Sequence, residues 1–316
     1  MTTLITGGAG FIGSRLAQLL VSRDEPVIIL DNFNDYYDPA IKRENVAALP
    51  SDVIVIEGDI RDIDTVQRVF REHAITRVAH LAAMANVRVS AELGRLYSDV
   101  NVNGAVTMMD EARKHGVEVF VLGSTSSVYG NTTKIPFVEV DDASFPLAPY
   151  PASKRSAELF AYSYHNMFGL NVNVLRFFNV YGPHGRPDMM PIKALKSIVN
   201  GTPITIFEGG NLERDWTYVD DIVDGVAAAL ICPLGYQIIN LGCGAPVSLN
   251  QFIHIYEDLI GKKAVLKEVP TPPTEPRITY CNNRRARELL GFDPKVSIQE
   301  GLTRTWEWYR GRYLKG

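Results

Sequence analysis

The 316-residue chain has only three cysteines, and none is close to another. Cys232, Cys243 and Cys281 form no CxxC pair, which argues against a zinc ribbon or a dithiol redox centre and fits reduced structural thiols. No metal site is expected. No apolar run approaches the roughly 20 residues needed to cross a bilayer. Gly7 interrupts the apolar start and no cationic stretch precedes it, so no secretion signal is predicted. The expectation is a soluble cytoplasmic protein with no membrane contact. Excess positive charge is missing too. Lys and Arg total 32 against 36 Asp and Glu, a net charge of −4, which argues against nucleic acid or an anionic membrane as partner. Internal repeats and low-complexity stretches are absent. The hydrophobic fraction of 46% is ordinary, and the length suggests about two domains with a sizeable core.

Short apolar runs alternate with amphipathic stretches through residue 180. Residues 2–6, 27–30, 53–56, 78–81, 117–122 and 172–177 read as strands. Their near-continuous apolar character predicts a parallel sheet covered on both faces. Residues 11–21, 65–73, 102–115 and 153–168 read as the helices between them. This alternation predicts an α/β fold, a Rossmann-like doubly wound parallel sheet. Residues 1–180 form the expected nucleotide-binding domain. Prolines at 183, 187, 191, 203, 270, 272, 273 and 276 mark a change of texture. Residues 181–316 are expected to form a smaller C-terminal α/β substrate lobe, with 213–242 returning to the large sheet.

TLITGGAGFIGSRLAQLL follows the first strand and opens the first helix. Gly7, Gly10 and Gly13 stand three apart, and Gly8, Gly10 and Gly13 satisfy GxGxxG. Glycines here let backbone amides approach a pyrophosphate at the helix N-terminus. Asp31 ends the second strand, where a carboxylate accepts the ribose hydroxyls of NAD and repels the extra phosphate of NADP. Its neighbours are Asn32 and Phe33, with no arginine beside them. Asp59, after the third strand, is either an adenine contact or a helix cap.

PYPASKRSAE carries Tyr150 and Lys154, four apart and so on one face of a helix start. An ammonium near a phenol favours the phenolate, which predicts a tyrosine tuned towards neutrality as a base. Pro151 fits the first helical position. One strand earlier, LGSTSSVYGN is rich in hydroxyls and holds no acid and no histidine.

Together these motifs resemble the extended short-chain dehydrogenase/reductases, specifically the nucleotide-sugar 4-epimerases. The resemblance spans the chain: GGAGFIG, HLAA at residues 80–83, NxxG from Asn101 to Gly104, STSSVYG, YxxxK, RFFNVYGP at 176–183 and RDWTYVDD at 214–221. It implies that Phe11, Ile12, Ile60, Leu81, Ala82, Ala83 and Asn101 join Asp31, Asn32 and Asp59 around NAD. It implies that Thr125 assists Tyr150 at the sugar 4-hydroxyl, Tyr150 removes the proton and Lys154 holds the nicotinamide ribose. C4 would give its hydride to NAD, the 4-keto sugar would turn over, and the hydride would return on the other face. Dehydratases of this family carry an acid pair where this chain has Ser126 and Ser127, and the decarboxylating relatives carry a glutamate in that loop. Without those acids only hydride return remains.

LDNFNDYYDPAIKREN and FFNVYGPHGRPDM resemble segments of UDP-glucuronate 4-epimerases. The resemblance implies that Arg186 faces the uronic carboxylate, a group the guanidinium fork can take with two bonds; pairing with Asp188 is the plainer alternative. Arg88 is a second candidate at the sugar end. Asn179 departs towards the UDP-galactose epimerases, where asparagine contacts the diphosphate-sugar. Arg214 would bind the diphosphate or else pair with Asp220 or Asp221. Glu275 would serve the uridine ribose, although Thr274 and Asn282 replace the family's glycine and aspartate. Relatives form homodimers through two helices, matched here by 102–115 and 153–168, with Met108, Met109, Phe160, Tyr164 and Met167 as the apolar stripe. His165 and His184 have no ligand spacing, and Trp306, Trp308 and Tyr309 are expected to fill the small lobe. Epimerisation of a UDP-glucose or N-acetylhexosamine nucleotide, or a non-catalytic NAD-binding sensor, remains as an alternative function.

Overall fold

The structure, a computed structural model, describes residues 1–272 and 275–314. Thr274 lies outside these described residues. The first half alternates β1 (Thr2–Thr6), α1 (Phe11–Val21), β2 (Val27–Asp31), α2 (Pro39–Ala47), β3 (Ile54–Glu57), α3 (Ile63–Glu72) and β4 (Ile75–His80). Two short helices, α4 (Val87–Ser90) and α5 (Gly94–Ser98), lead through a π-helical stretch over Asp99–Asn103 into α6 (Gly104–Lys114). Next come β5 (Val119–Thr125), a single 3-10 turn over Ser126–Tyr129, α7 (Pro149–Phe168) and β6 (Val172–Phe177). The second half holds β7 (Asn179–Tyr181), α8 (Met190–Asn200), β8 (Pro203–Ile206), β9 (Glu213–Tyr218), α9 (Val219–Leu230) and β10 (Tyr236–Leu241). It ends with β11 (Pro246–Ser248), α10 (Leu249–Ile260), β12 (Val265–Glu268), β13 (Ile278–Thr279), α11 (Arg284–Leu290) and α12 (Ile298–Tyr313).

The large sheet has seven strands in the order β10-β6-β5-β4-β1-β2-β3, and every pair is parallel. Successive residues face opposite sides, as a pleat requires. Ile5, Ile29, Val121 and Leu175 join one core with Leu16 and Leu20 of α1 and Ile222 and Val226 of α9. Leu4, Ile28, Phe120 and Val174 join the other with Val66 of α3, Met108 of α6 and Ala157 of α7. Covering both faces is why these strands read as unbroken apolar runs. β3 is the exception: it ends the sheet, and Ile54 and Val55 stand exposed.

Three expectations change at the level of elements. The stretch 213–242 divides. α9 packs on the large sheet and β10 pairs with β6, but β9 joins a small sheet with β7, β11 and β13. β7 begins one residue past the end of β6, so the small sheet grows beyond the carboxyl edge and captures β9 there. α7 starts at Pro149 and includes Tyr150. Pro151 therefore sits in the first turn, where the missing N–H has no intrahelical partner to lose. Met108 and Met109 are fully buried and belong to the core beneath α6, not to an outer stripe. No helix among the described residues is long and apolar enough to cross a membrane.

Candidate active site

The strand order reverses between β1 and β4, and the loops at their carboxyl ends part there. A cavity of about 450 Å³ opens at this point, within the range of small-molecule sites. Gly7 has φ +69°, and a Cβ there would lie 2.8 Å from the Ala82 amide nitrogen. A Cβ on Gly13 would lie 2.4 Å from the Gly7 carbonyl oxygen. Both positions therefore require glycine for the turn to close. α1 begins after Gly10 with no side-chain cap and no acid in its first turn. Phe11 and Ile12 line the cavity with Gly7 and Gly10, which leaves uncapped amides and a positive helix end for a diphosphate.

Asp31 lies beside them, almost fully buried. It accepts from the amides of Ala9 at 3.2 Å and Phe33 at 2.9 Å. Its third partner is Lys42 of α2, whose ammonium is 3.3 Å away. The sequence reading found no arginine near Asp31 and overlooked this lysine. The signal was present: Asp38 caps α2 and Pro39 opens it, which sets Lys42 one turn into a helix returning over the cofactor loop. Asp59 is clamped by Arg61 at 2.7 Å and by Asn32 at 2.9 Å. The Arg61 hydrogen bond is the main reason its pKa is lowered to about 2. The cap of α3 is Asp62, so Asp59 is no cap and lines the cavity with Asn32, Ile60, Leu81, Ala82 and Ala83. These features fit a bound dinucleotide: uncapped amides for its phosphates, a buried carboxylate for its ribose, and apolar walls.

Asn101 is not a lining residue. It sits in the π-helical stretch and brackets Met84, accepting from its amide at 2.8 Å and donating to its carbonyl at 3.0 Å. It also donates to Ser153 of α7 at 2.9 Å. Its place is behind the cavity wall, fixing the loop after β4 against α7.

The end of β5 and the start of α7 also line the cavity. β5 runs on through Ser124 and Thr125, which pair in register with Arg176 and Phe177, so half of the hydroxyl loop is strand. Thr125, Ser126, Ser127, Tyr150, Lys154, Asn179 and Arg186 all line the cavity. The Tyr97 ring stands edge-on to Tyr150, with centroids 6.1 Å apart. Tyr150 departs from expectation. Burial raises its pKa, the Thr125 hydrogen bond and the Arg186 charge oppose this, and the net shift is upward. Burial also lowers Lys154 to about 8, against the pull of Glu158. Burial thus acts against the charged form of both groups, and the lowered tyrosine expected from their spacing is not what this arrangement gives.

Glu158 completes a ladder with Tyr150 and Lys154 along one face of α7. It is fully buried and accepts from Arg176 at 3.0 and 2.7 Å, from Ser124 at 2.5 Å and from Arg155 at 2.9 Å. The sequence reading did not single out Glu158 or pair it with Arg176 and Ser124, although the i+4 step from Lys154 was visible. His80, behind Lys154, is 2.8 Å from Thr6 Oγ1. Burial, then the Lys154 charge, holds its pKa down at about 3, so it is neutral.

Arg88, Arg214 and Glu275 gather at the rim instead. Arg214 bonds Glu275, Arg88 lies 3.7 Å from the same carboxylate, and its guanidinium sits 5.6 Å from the Phe207 ring centroid. Arg88 thus stands with Arg214, away from Arg186. Neither Asp220 nor Asp221 pairs with Arg214: Asp220 binds Arg15 at 2.7 Å, and Asp221 accepts from the amides of Lys295 and Val296. His184 lies 2.9 Å from Asn45, and Trp306 and Tyr309 belong to the same core as Ile222 and Val226 of α9.

The arrangement, a glycine loop and the half-buried Tyr150 between buried Thr125 and Lys154, can be compared with known proteins. Residues 3–242 match the NAD dependent epimerase/dehydratase family. A UDP-glucuronate 4-epimerase of Thermodesulfobacterium geofontis is 42% identical over 308 residues, 96% of this chain and 95% of that protein. One from Arabidopsis thaliana is 38% identical over 332 residues, 99% of this chain and 76% of that protein. The solved UDP-glucuronic acid 4-epimerase of Bacillus cereus, in complex with UDP-glucuronic acid and NAD, superposes with a TM-score of 0.92 at 32% identity, covering 99% of this chain and 100% of that one. The UDP-glucose 4-epimerase of Thermotoga maritima, with UDP-glucose, gives 0.90 at 31% identity, covering 98% and 99%. This chain belongs to the NAD dependent epimerase/dehydratase family.

Proposed function

We propose that the protein is an isomerase that inverts C4 of UDP-glucuronate to give UDP-galacturonate. The observation that carries this is that Arg186 lines the same cavity as Thr125, Tyr150 and Lys154 and lies near enough for its charge to act on Tyr150. A cation there meets the C6 group of a sugar whose C4 hydroxyl lies at Tyr150. NAD, when bound, supplies the acceptor and donor of the C4 hydride. Gly7, Gly10, Phe11 and Ile12 would hold its phosphates, Asp31 a ribose, and Lys154 the nicotinamide ribose. Tyr150 takes the proton of the 4-hydroxyl, with Thr125 hydrogen-bonded to it, and gives the proton back once the sugar has turned. Ser126 and Ser127 offer hydroxyls to the sugar and no proton for loss of water. Arg88, Arg214 and Glu275 are assigned to the UDP portion at the rim, and Asn179 to the diphosphate-sugar. The relatives from Thermodesulfobacterium geofontis, Arabidopsis thaliana and Bacillus cereus support the uronate. Asn179 favours a second reading, UDP-glucose or UDP-N-acetylhexosamine.

Proton NMR of purified protein with NAD and each UDP-sugar separates the two. Appearance of the galacturonate H4 and anomeric signals from UDP-glucuronate, with UDP-glucose unchanged, is expected. Conversion of UDP-glucose alone would make Asn179 the better guide.

The same reading includes a homodimer in the cytoplasm. The three free cysteines and the nucleotide-sugar chemistry support that location. On α7, Leu159, Phe160, Tyr162, Met167 and Phe168 stand exposed, Met167 at 70%. Apolar exposure of this kind on one helix supports association through it. Phe160→Glu should convert the dimer to a monomer in light scattering at micromolar concentration; a dimer that survives both this change and Met167→Glu places the contact elsewhere.

A further inference from the structure

Two segments far apart in sequence meet at the sugar end. Tyr36, in DNFNDYYDP after β2, donates its hydroxyl to Asp188 Oδ2 at 3.0 Å, in the GRPDM loop. Asn86, after β4, donates to the Tyr36 hydroxyl at 2.8 Å and to the same carboxylate oxygen at 3.3 Å. Asp188 so anchored accepts from Arg186 Nε at 3.0 Å and Nη2 at 2.7 Å. Nη2 also donates to the Ala85 carbonyl at 2.8 Å. The Tyr36 ring packs beside the guanidinium, its centroid 5.5 Å from the central carbon. Arg186 has five N–H donors. The Nε–Nη2 edge is spent on Asp188 and the other Nη2 proton on Ala85, so neither two-bond edge of the fork is open to a second carboxylate. Among the described residues Nη1 has no hydrogen-bond partner.

This corrects the expectation of a two-bond grip on the substrate. The plainer alternative, Arg186 paired with Asp188, is also present, and both hold at once because a guanidinium has more than one edge. A free fork would seize a carboxylate strongly in the ground state wherever the flexible arginine stem met it. A fork held by one edge makes a weaker contact at a fixed point, and catalysis rewards the fixed point.

We infer that Tyr36 and Asp188 are positioning residues for substrate selection: they hold Arg186 by its Nε–Nη2 edge so that only Nη1 meets the C6 carboxylate. The inference rests on the uronate reading above. It also explains why the segment after β2, which begins at the cofactor's Asp31, bears on the choice of sugar. Tyr36 carries the hydroxyl that fixes Asp188, while its neighbour Tyr37 lines the same cavity.

Steady-state kinetics with UDP-glucuronate, KM and kcat read separately, test this in Asp188→Asn, Tyr36→Phe and Arg186→Ala. Asp188→Asn frees the fork. Its KM should fall by about threefold while kcat falls by about tenfold or more, a split that marks tighter but misplaced binding. Tyr36→Phe keeps the ring and loses only the hydroxyl, so kcat should fall by about fivefold with the melting temperature and NAD affinity of the parent. Arg186→Ala should remove most uronate turnover. If Arg186→Ala does so and both other variants stay within about twofold of the parent in KM and kcat, Tyr36 and Asp188 position nothing and the uronate reading stands. A rise in KM in both variants with a matching fall in melting temperature assigns them a structural role only and overturns the inference. If uronate turnover survives Arg186→Ala, the uronate clamp itself is wrong. Should Asp188→Asn fail to fold, Tyr36→Phe alone decides, because its ring packing is unchanged.

Discussion

Tyr150→Phe should lower kcat for epimerisation by about 10³-fold, since a positioned general base is worth roughly 10²–10⁴. The fall should come without loss of NAD, because the phenol ring keeps its place against Tyr97 and only the oxygen that meets Thr125 is removed. Fluorescence titration with NAD separates the two effects. An epimerase rate within tenfold of the parent, with NAD still bound, would assign the proton to another group. The pH profile adds a second check. Lys154 is held at about 8 by burial against the pull of Glu158, so it is an ammonium at neutral pH and loses that charge above 8. Because the charged form is the one that favours a phenolate, activity should decline on the alkaline side with a midpoint near that value. A rate that stays level to pH 10 means the ammonium is not needed.

The second large effect is on stability. Glu158→Ala should destabilise the protein by about 3–5 kcal/mol, the cost of leaving a buried partner charge uncompensated. Arg176 is 1% exposed and keeps its charge. Burial works to raise the Glu158 pKa, yet the Arg176 bond and charge, with Ser124 and Arg155, bring it below the usual carboxylate value, so the ionised form belongs to the fold. Urea denaturation monitors the loss. The double variant Glu158→Leu with Arg176→Met should recover most of it, because neither charge remains buried. If the single change costs under about 1 kcal/mol, water or another anion reaches Arg176 and the pair is not closed. Activity should fall as well, since Ser124 precedes Thr125 and Glu158 supports the charge on Lys154.

Much of this molecule follows from sequence pattern alone. Parallel strands buried on both faces must be apolar at nearly every position, and that constraint is local enough to read. Residues 2–6 and 172–177 therefore appear as strands with the limits the structure gives them, and 11–21 as a helix. The glycines of the first loop are equally legible, because Gly7 and Gly13 answer to backbone atoms that any such strand–helix turn brings close. Tyr150 and Lys154 are readable as a pair because helical spacing puts them on one face.

What the sequence could not decide are the contacts made between distant segments. Tyr36 reaches Asp188 and Glu158 reaches Arg176 only after the sheet has formed, and nothing in their local spacing announces the partner. The same holds for β9, whose apolar pattern suits either sheet until β7 offers it an edge. Met108 and Met109 show the limit from the other side: an apolar stripe says that a face is buried, not against what. The titration of Tyr150 belongs here too. Spacing places the ammonium on the same face as the phenol, but burial acts on both groups at once, and burial is a property of the whole fold. The sequence by itself determined the family, the sheet, the glycine loop and the placing of Tyr150 and Lys154 on one helix face, because each depends on neighbours in the chain. The tertiary structure alone decided which edge of Arg186 is free and how charged the site is, because those depend on groups up to 152 residues away.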